Sequence, residues 1–151
     1  MGTEVVRDAL RSPRAKLGGY VILPRLIDKV RLAAQGRLPP DYQPNLLKPG
    51  LTLDGRFLTF TGLDAEQLRK AILATRSDDE VLVWVQTHAR PHSEAEKEQW
   101  ERQIEDYRPD ATGAAYRRRS YPQLAEKLDL SQVSVFDLID WDEGRLSGGM
   151  T

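Results

Sequence analysis

Tyr20-Val21-Ile22-Leu23-Pro24-Arg25-Leu26-Ile27-Asp28-Lys29-Val30-Arg31-Leu32-Ala33-Ala34-Gln35, followed by Gly36, is the stretch that decides the fold. Ile22, Leu26, Val30 and Ala33 recur at helical spacing, with Leu23, Ile27 and Ala34 beside them, so one face is apolar enough to meet a core. Pro24 fits only a first turn, which places the start of regular helix near Leu23. Gly36 is a natural residue just past the end.

Working outward toward the N-terminus, Ser12-Pro13 reads as an N-cap with proline at the first helical position. The short helical run then reaches Leu17 and stops or bends at Gly18-Gly19. In the other direction, Pro39, Pro40, Pro44 and Pro49 with Gly50 and Gly55 predict a long loop over 37–56 without regular helix. It is expected to pack over the core through Tyr42, Leu46, Leu47, Leu51 and Leu53. Phe57 to Phe60 is ambiguous between a strand and a helical turn.

Three helix starts follow from capping pairs: Asp64 with Gln67, Ser77 with Glu80, and Ser93 with Glu96. Leu63, Leu68 and Ile72 supply the apolar side of the first of these helices. Val81, Trp84, Val85 and His88 stack on one face of the second. Trp100, Ile104 and Tyr107 form the stripe of the third, which Pro109 ends. A helix over about 121–128 and a short one from Ser134 to Trp141 complete the reading, with residues 143–151 as a frayed tail. The expected fold is all-α: a single compact multi-helix domain over 1–151, with five to seven helices and one long proline-containing loop.

Composition sets the outer limits. The 151 residues are 40% hydrophobic and 30% charged, a globular balance. Such a length buries roughly 70% of the surface of its unfolded chain and needs no covalent staple. Cysteine is absent, which removes disulfides, thiolate metal sites and cysteine nucleophiles. The charged first residues do not read as a signal peptide, and no run approaches a membrane span, so a soluble cytoplasmic protein is expected. Net charge is −1, against a dedicated nucleic-acid binder. The charge is uneven: residues 1–37 hold eight basic and three acidic residues, leaving the remainder acidic.

Four segments together carry a family resemblance. They are Arg11 to Tyr20 running into Leu23 to Lys29, Phe57 to Leu68, Ser77 to Val85, and Ser134 to Trp141. The pattern resembles a bacterial family catalogued as a domain of unknown function, number five-zero-six-nine, over nearly the whole chain. The resemblance implies a compact stand-alone domain and brings no activity and no catalytic residues to carry over.

The candidate site gathers Arg14, Lys16, Tyr20, Arg25, Asp28 and Lys29. Arg25 and Lys29 are four apart on one helix and repel, unless each has its own carboxylate or an anion lies between them. A guanidinium binds phosphate or carboxylate bidentately, so a small anion is the expected ligand, with internal pairing as the competing reading. On the anion reading, replacing Arg25 or Arg14 weakens binding with little loss of stability.

His88 and His92 lack metalloprotease spacing, so no metal is expected. No phosphate-loop or dinucleotide motif is present, so no cofactor is expected either. Tyr116-Arg117-Arg118-Arg119-Ser120-Tyr121 could grip a nucleic-acid backbone. A solvated run with one or two arginines paired to acidic helices is the preferred reading there. Asp137, Asp140, Asp142 and Glu143 read as an exposed helix end anchored by a buried Trp141. Two functions remain open. One is a binding or interaction domain for a small anion or a protein partner. The other is an enzyme on a phosphorylated or carboxylated metabolite, with Arg14, Arg25 and Lys29 holding the anion and Asp28 or His88 as general base.

Overall fold

Helix α1 spans Leu23–Ala34, with Pro24 in its first turn and Gly36 at φ 69° beyond its end. The computed structural model describes residues 9–145, so Met1 to Asp8 and the tail from residue 146 onward lie outside the described residues. Leu23, Leu26 and Ile27 are fully buried and Val30 nearly so, the stripe that the periodicity predicts. The start of α1 is unusual. Ile22 is a β-branched residue at φ 76°, a conformation that such side chains rarely adopt. Its N–H donates to the Pro13 carbonyl at 3.0 Å, its carbonyl accepts from Leu26, and its side chain is sealed from solvent.

The segment before α1 departs from the expected short helix. Lys16–Leu17 (β1) and Tyr20–Val21 (β2) pair antiparallel, Lys16 opposite Val21 and Leu17 opposite Tyr20. Gly18 and Gly19 both take positive φ, 58° and 85°, the backbone of a two-residue type I′ hairpin turn. The glycine pair therefore reverses a strand and does not stop a helix.

The loop after α1 contains a 3-10 helix, Pro40–Asn45. Leu46 and Leu47 pack on the core, while Leu51 is 70% exposed, against expectation. Helix α2 already begins at Leu53 (Leu53–Thr61), so residues 53–56, read as loop, are helical, and Phe57 to Phe60 is helix as well. Thr52 caps it through Gly55 N–H. Gly55 permits this start: a Cβ there would lie 2.5 Å from the Gly50 carbonyl oxygen.

Helices α3 (Ala65–Ala74), α4 (Asp78–His88) and α5 (Glu94–Asp106) start where the capping pairs predict. Asp64, Ser77 and Ser93 each accept a backbone N–H three residues on, and Glu96 returns the bond to complete a capping box. Helix α6 (Ala111–Ser120), capped by Asp110, is not anticipated by the periodicity. Helix α7 is a single turn, Pro122–Ala125, shorter than the expected 121–128. Helix α8 is Val135–Asp142, capped by Ser134. Among the described residues this makes eight α-helices and one 3-10 helix, above the expected five to seven. The excess lies in α2 and α6 and in the turn within the loop.

Helix α1 packs on α3, α3 on α4, and α5 on both α8 and β2. Phe57, Leu68, Ile72, Val81, Val85 and Phe136 fill the space between them with no exposed surface. Phe60 stacks on Trp100 at 4.4 Å and on His92 at 3.8 Å, closing one side of this core. Among the described residues no helix is long and apolar enough to cross a membrane.

Candidate functional site

The cations of the candidate set, Arg14, Lys16, Arg25 and Lys29, are each matched by a carboxylate. Arg14 reaches Glu105 and, at 2.8 Å, Asp137. Lys16 meets Glu101 at 2.8 Å. Asp28 is held by Arg11, which donates from its backbone N, Nε and Nη2 and also reaches Asp78. Tyr20 is a core residue, its ring edge-on to Phe57 at 5.6 Å and under the Lys97 ammonium. These distances describe internal pairing and not residues converging on an open hollow.

Arg25 and Lys29 go further. Both are buried, 4% and 6% exposed, and each has its own buried acid. Arg25 makes a bidentate pair with Glu143, at 2.9 and 2.6 Å. Lys29 Nζ donates to Asp54 at 2.8 Å. Each acid also grips the long loop. Tyr42 donates its hydroxyl to Glu143 at 2.7 Å, and the Leu47 N–H donates to the second Asp54 oxygen at 2.8 Å. Leu47 stands at φ 54°, held there by that bond. Burial works against the Glu143 carboxylate, but the hydrogen bonds and charge of Arg25 outweigh it, and its pKa lies below the ordinary value. Burial pulls the Lys29 ammonium down despite Asp54. The two like charges four residues apart are thus compatible because each is neutralised separately, and together they fasten the loop to α1.

The acidic C-terminal cluster is inverted relative to expectation. Asp140 and Glu143 are buried, 5% and 2% exposed, while Trp141 is half-buried. Asp140 accepts from Ser12 at 3.0 Å and from Arg145 at 3.1 Å, and Arg145 also reaches Glu143 and the Leu10 carbonyl. Glu143 through Arg145, read as the start of a frayed tail, are part of this network; the tail from residue 146 lies outside the described residues.

The histidines are used locally. His88 is exposed, stacked on Trp84, with Nδ1 2.9 Å from the Trp84 carbonyl. His92 Nε2 lies 2.8 Å from the Phe60 carbonyl.

A different set of cations remains without carboxylates. Among the described residues four basic side chains are buried: Arg25, Lys29, Lys97 and Arg117. The first three pair with Glu143, Asp54 and Glu94. Arg117 on α6 is 7% exposed and has no carboxylate within 4.0 Å among the described residues. Its Nη1 donates to the Leu130 and Val133 carbonyls at 2.8 and 2.9 Å, and its Nε and Nη2 make no hydrogen bond among the described residues. Neither nitrogen is sealed from solvent.

Arg56 on α2 is within electrostatic reach of Arg117, and both interact electrostatically with Tyr107. Its guanidinium sits 4.5 Å over the Tyr107 ring, Nε donates to the Leu51 carbonyl, and both Nη atoms are unused. Burial lowers the pKa of Arg56, and burial with repulsion from Arg108 and Arg56 lowers that of Arg117. Burial pushes the Tyr121 phenol up to about 12, with Asp142 and Tyr116 adding to the rise. The hydroxyls of Tyr107 and Tyr121 make no hydrogen bond among the described residues and are not enclosed.

This group escapes the sequence reading for two reasons. Arg56 falls in the stretch read as loop. In the Tyr116–Tyr121 run, α6 turns Arg117 inward and leaves Arg118 and Arg119 exposed. None of the three arginines pairs with a carboxylate, contrary to the expected pairing to acidic helices. An inward arginine followed by two outward ones would signal the site only once the helix is recognised.

No curated protein matches the chain. A family model described as Domain of unknown function (DUF5069) matches residues 7–145, most of the chain and the segments on which the resemblance rests. The chain belongs to the DUF5069 family.

Proposed function

We propose that this domain binds a small anion between Arg56 and Arg117, with Arg108, Tyr107 and Tyr121 at the rim. One observation carries the reading. Arg117 is the buried cation without a carboxylate among the described residues, in a protein that gives one to each of the others. A desolvated charge without a counter-ion is costly, and two carbonyls compensate it only in part. An anion taking the free N–H groups of both guanidiniums completes the pairing.

Binding fits these residues better than catalysis. The two bases considered from sequence, Asp28 and His88, are engaged by Arg11 and Trp84 and do not stand with these arginines. A protein partner remains the second class of ligand, through an acidic side chain placed in the same position.

Thermal unfolding with inorganic phosphate, pyrophosphate, sulfate and acetate tests the reading in wild type, Arg56→Ala and Arg69→Ala. Arg69 is an exposed arginine that pairs with Glu66 and serves as control. An anion at about 100 times its dissociation constant stabilises by about 2.7 kcal/mol. At roughly 2–4 °C per kcal/mol that shift is easily read. A shift lost in Arg56→Ala and kept in Arg69→Ala supports the site. Equal shifts in all three proteins, or none in any, overturn it.

A further inference from the structure

We infer that the anion held by Arg56 and Arg117 is a doubly charged phosphoryl group, that of a phosphomonoester or of free phosphate. The inference rests on the anion-binding reading and narrows it to one chemical class.

Two properties of the cluster lead there. The first is charge. Arg56 and Arg117 contribute two positive charges, Arg108 lies within electrostatic reach of Arg117, and no carboxylate lies within 4.0 Å of any of the three among the described residues. A carboxylate or a phosphodiester brings one negative charge and leaves a partly buried guanidinium uncompensated. A phosphomonoester brings close to two at neutral pH.

The second is the sense of the hydrogen bonds. Every unused polar group of the two guanidiniums is a donor: the Nη atoms of Arg56, and Nε and Nη2 of Arg117. Guanidinium offers no acceptor. Tyr121 stays protonated through the physiological range and can donate its hydroxyl, as can Tyr107. A set made up of donors alone suits a group with three strong acceptor oxygens. A carboxylate presents two oxygens in one plane, which a single guanidinium already satisfies bidentately. The single-stranded nucleic-acid backbone, a run of monoanionic diesters, matches neither property.

The experiment is calorimetric titration of the full chain at pH 7.5 and pH 5.0 with four probes. They are inorganic phosphate, phenyl phosphate, dimethyl phosphate and sulfate. The second ionisation of a phosphomonoester lies near 6, so the dianion is nearly complete at pH 7.5 and about a tenth at pH 5.0. Phenyl phosphate is expected to lose about tenfold in affinity on acidification, and inorganic phosphate, whose second ionisation lies about one unit higher, roughly a hundredfold. Sulfate, a dianion at both values, is expected to hold, and so reports any titration of the protein itself, including Asp142 and Glu143 beside Tyr121. Dimethyl phosphate, a permanent monoanion, is expected to bind weakly at both.

Arg108→Ala, an exposed position whose guanidinium donates only to the Glu105 and Tyr107 carbonyls, should weaken phosphate severalfold without unfolding. Phenyl phosphate binding like phosphate marks a monoester ligand; phosphate binding alone marks the free ion, and either supports the class. Dimethyl phosphate binding as tightly as phosphate, or phosphate affinity that does not change with pH, overturns the dianion inference and leaves the anion site standing. No binding of any probe removes both.

Discussion

Replacing Arg25 with alanine measures what the buried ion pair contributes. The guanidinium is 4% exposed and makes two short bonds to Glu143, which is itself 2% exposed, and a third to the Arg11 carbonyl at 3.1 Å. Truncating one partner of a buried pair costs about 3–5 kcal/mol, because the other charge is left buried and uncompensated. Glu143 keeps Tyr42 and Arg145, which places Arg25→Ala at the low end, about 3 kcal/mol. For a domain of this length that is a fall of roughly 6–12 °C in Tm. Urea unfolding followed by far-UV circular dichroism gives the free energy directly, provided that the slope stays constant. Arg25→Met with Glu143→Met is expected to recover most of the loss, since an apolar replacement of both partners is close to neutral. A loss under about 1 kcal/mol in Arg25→Ala would refute the argument and return Arg25 to the surface role that its sequence position invites.

Gly55→Ala should destabilise by about 1–3 kcal/mol, because the added methyl group meets backbone of Lys48 and Gly50 and not a movable side chain; chemical denaturation checks it, and a neutral result would mean that the loop yields freely. Phe57→Ala, in the sealed core, should cost about 3–5 kcal/mol. Trp84→Ala, half-buried and stacked on exposed His88, should cost only about 1–2 kcal/mol; equal losses would mean that the two positions are equally enclosed. Acid should weaken the fold with a definite sign. The Arg11 hydrogen bond lowers the Asp78 pKa, and Arg25 outweighs burial to lower that of Glu143. Both contributions are therefore complete above the unfolded values of about 4 and are lost as pH falls through the lower folded values. Glu143→Gln should flatten the loss of stability below about pH 4, and an unchanged acid limb in urea midpoints would show that Glu143 is not responsible.

How much of the fold was legible depends on whether the cause was local. Helix α1 could be read to its first residue because Pro24, the apolar stripe and Gly36 all act within one helix. The caps at Asp64, Ser77 and Ser93 could be read because a side chain meeting a backbone N–H three residues away needs no other part of the molecule. The Gly18-Gly19 turn could not: two glycines allow either a helix stop or a hairpin, and the pairing of Leu17 with Tyr20 decides between them. Helix α2 was hidden because the glycine that looks like a breaker, Gly55, is needed for a close approach of the loop.

The sequence by itself determined an all-α chain, the uneven charge, and the conflict between Arg25 and Lys29. Only the tertiary structure decided how that conflict is resolved. Glu143 and Asp54 lie 118 and 25 residues away from their partners, and burial, a property of the whole packing, turns those contacts from surface pairs into anchors for the loop. Packing likewise left Arg117 buried without an acid among the described residues and set Arg56, from another helix, within electrostatic reach of it. Charge is written in the sequence, but which charges are neutralised is a matter of distances that folding alone sets.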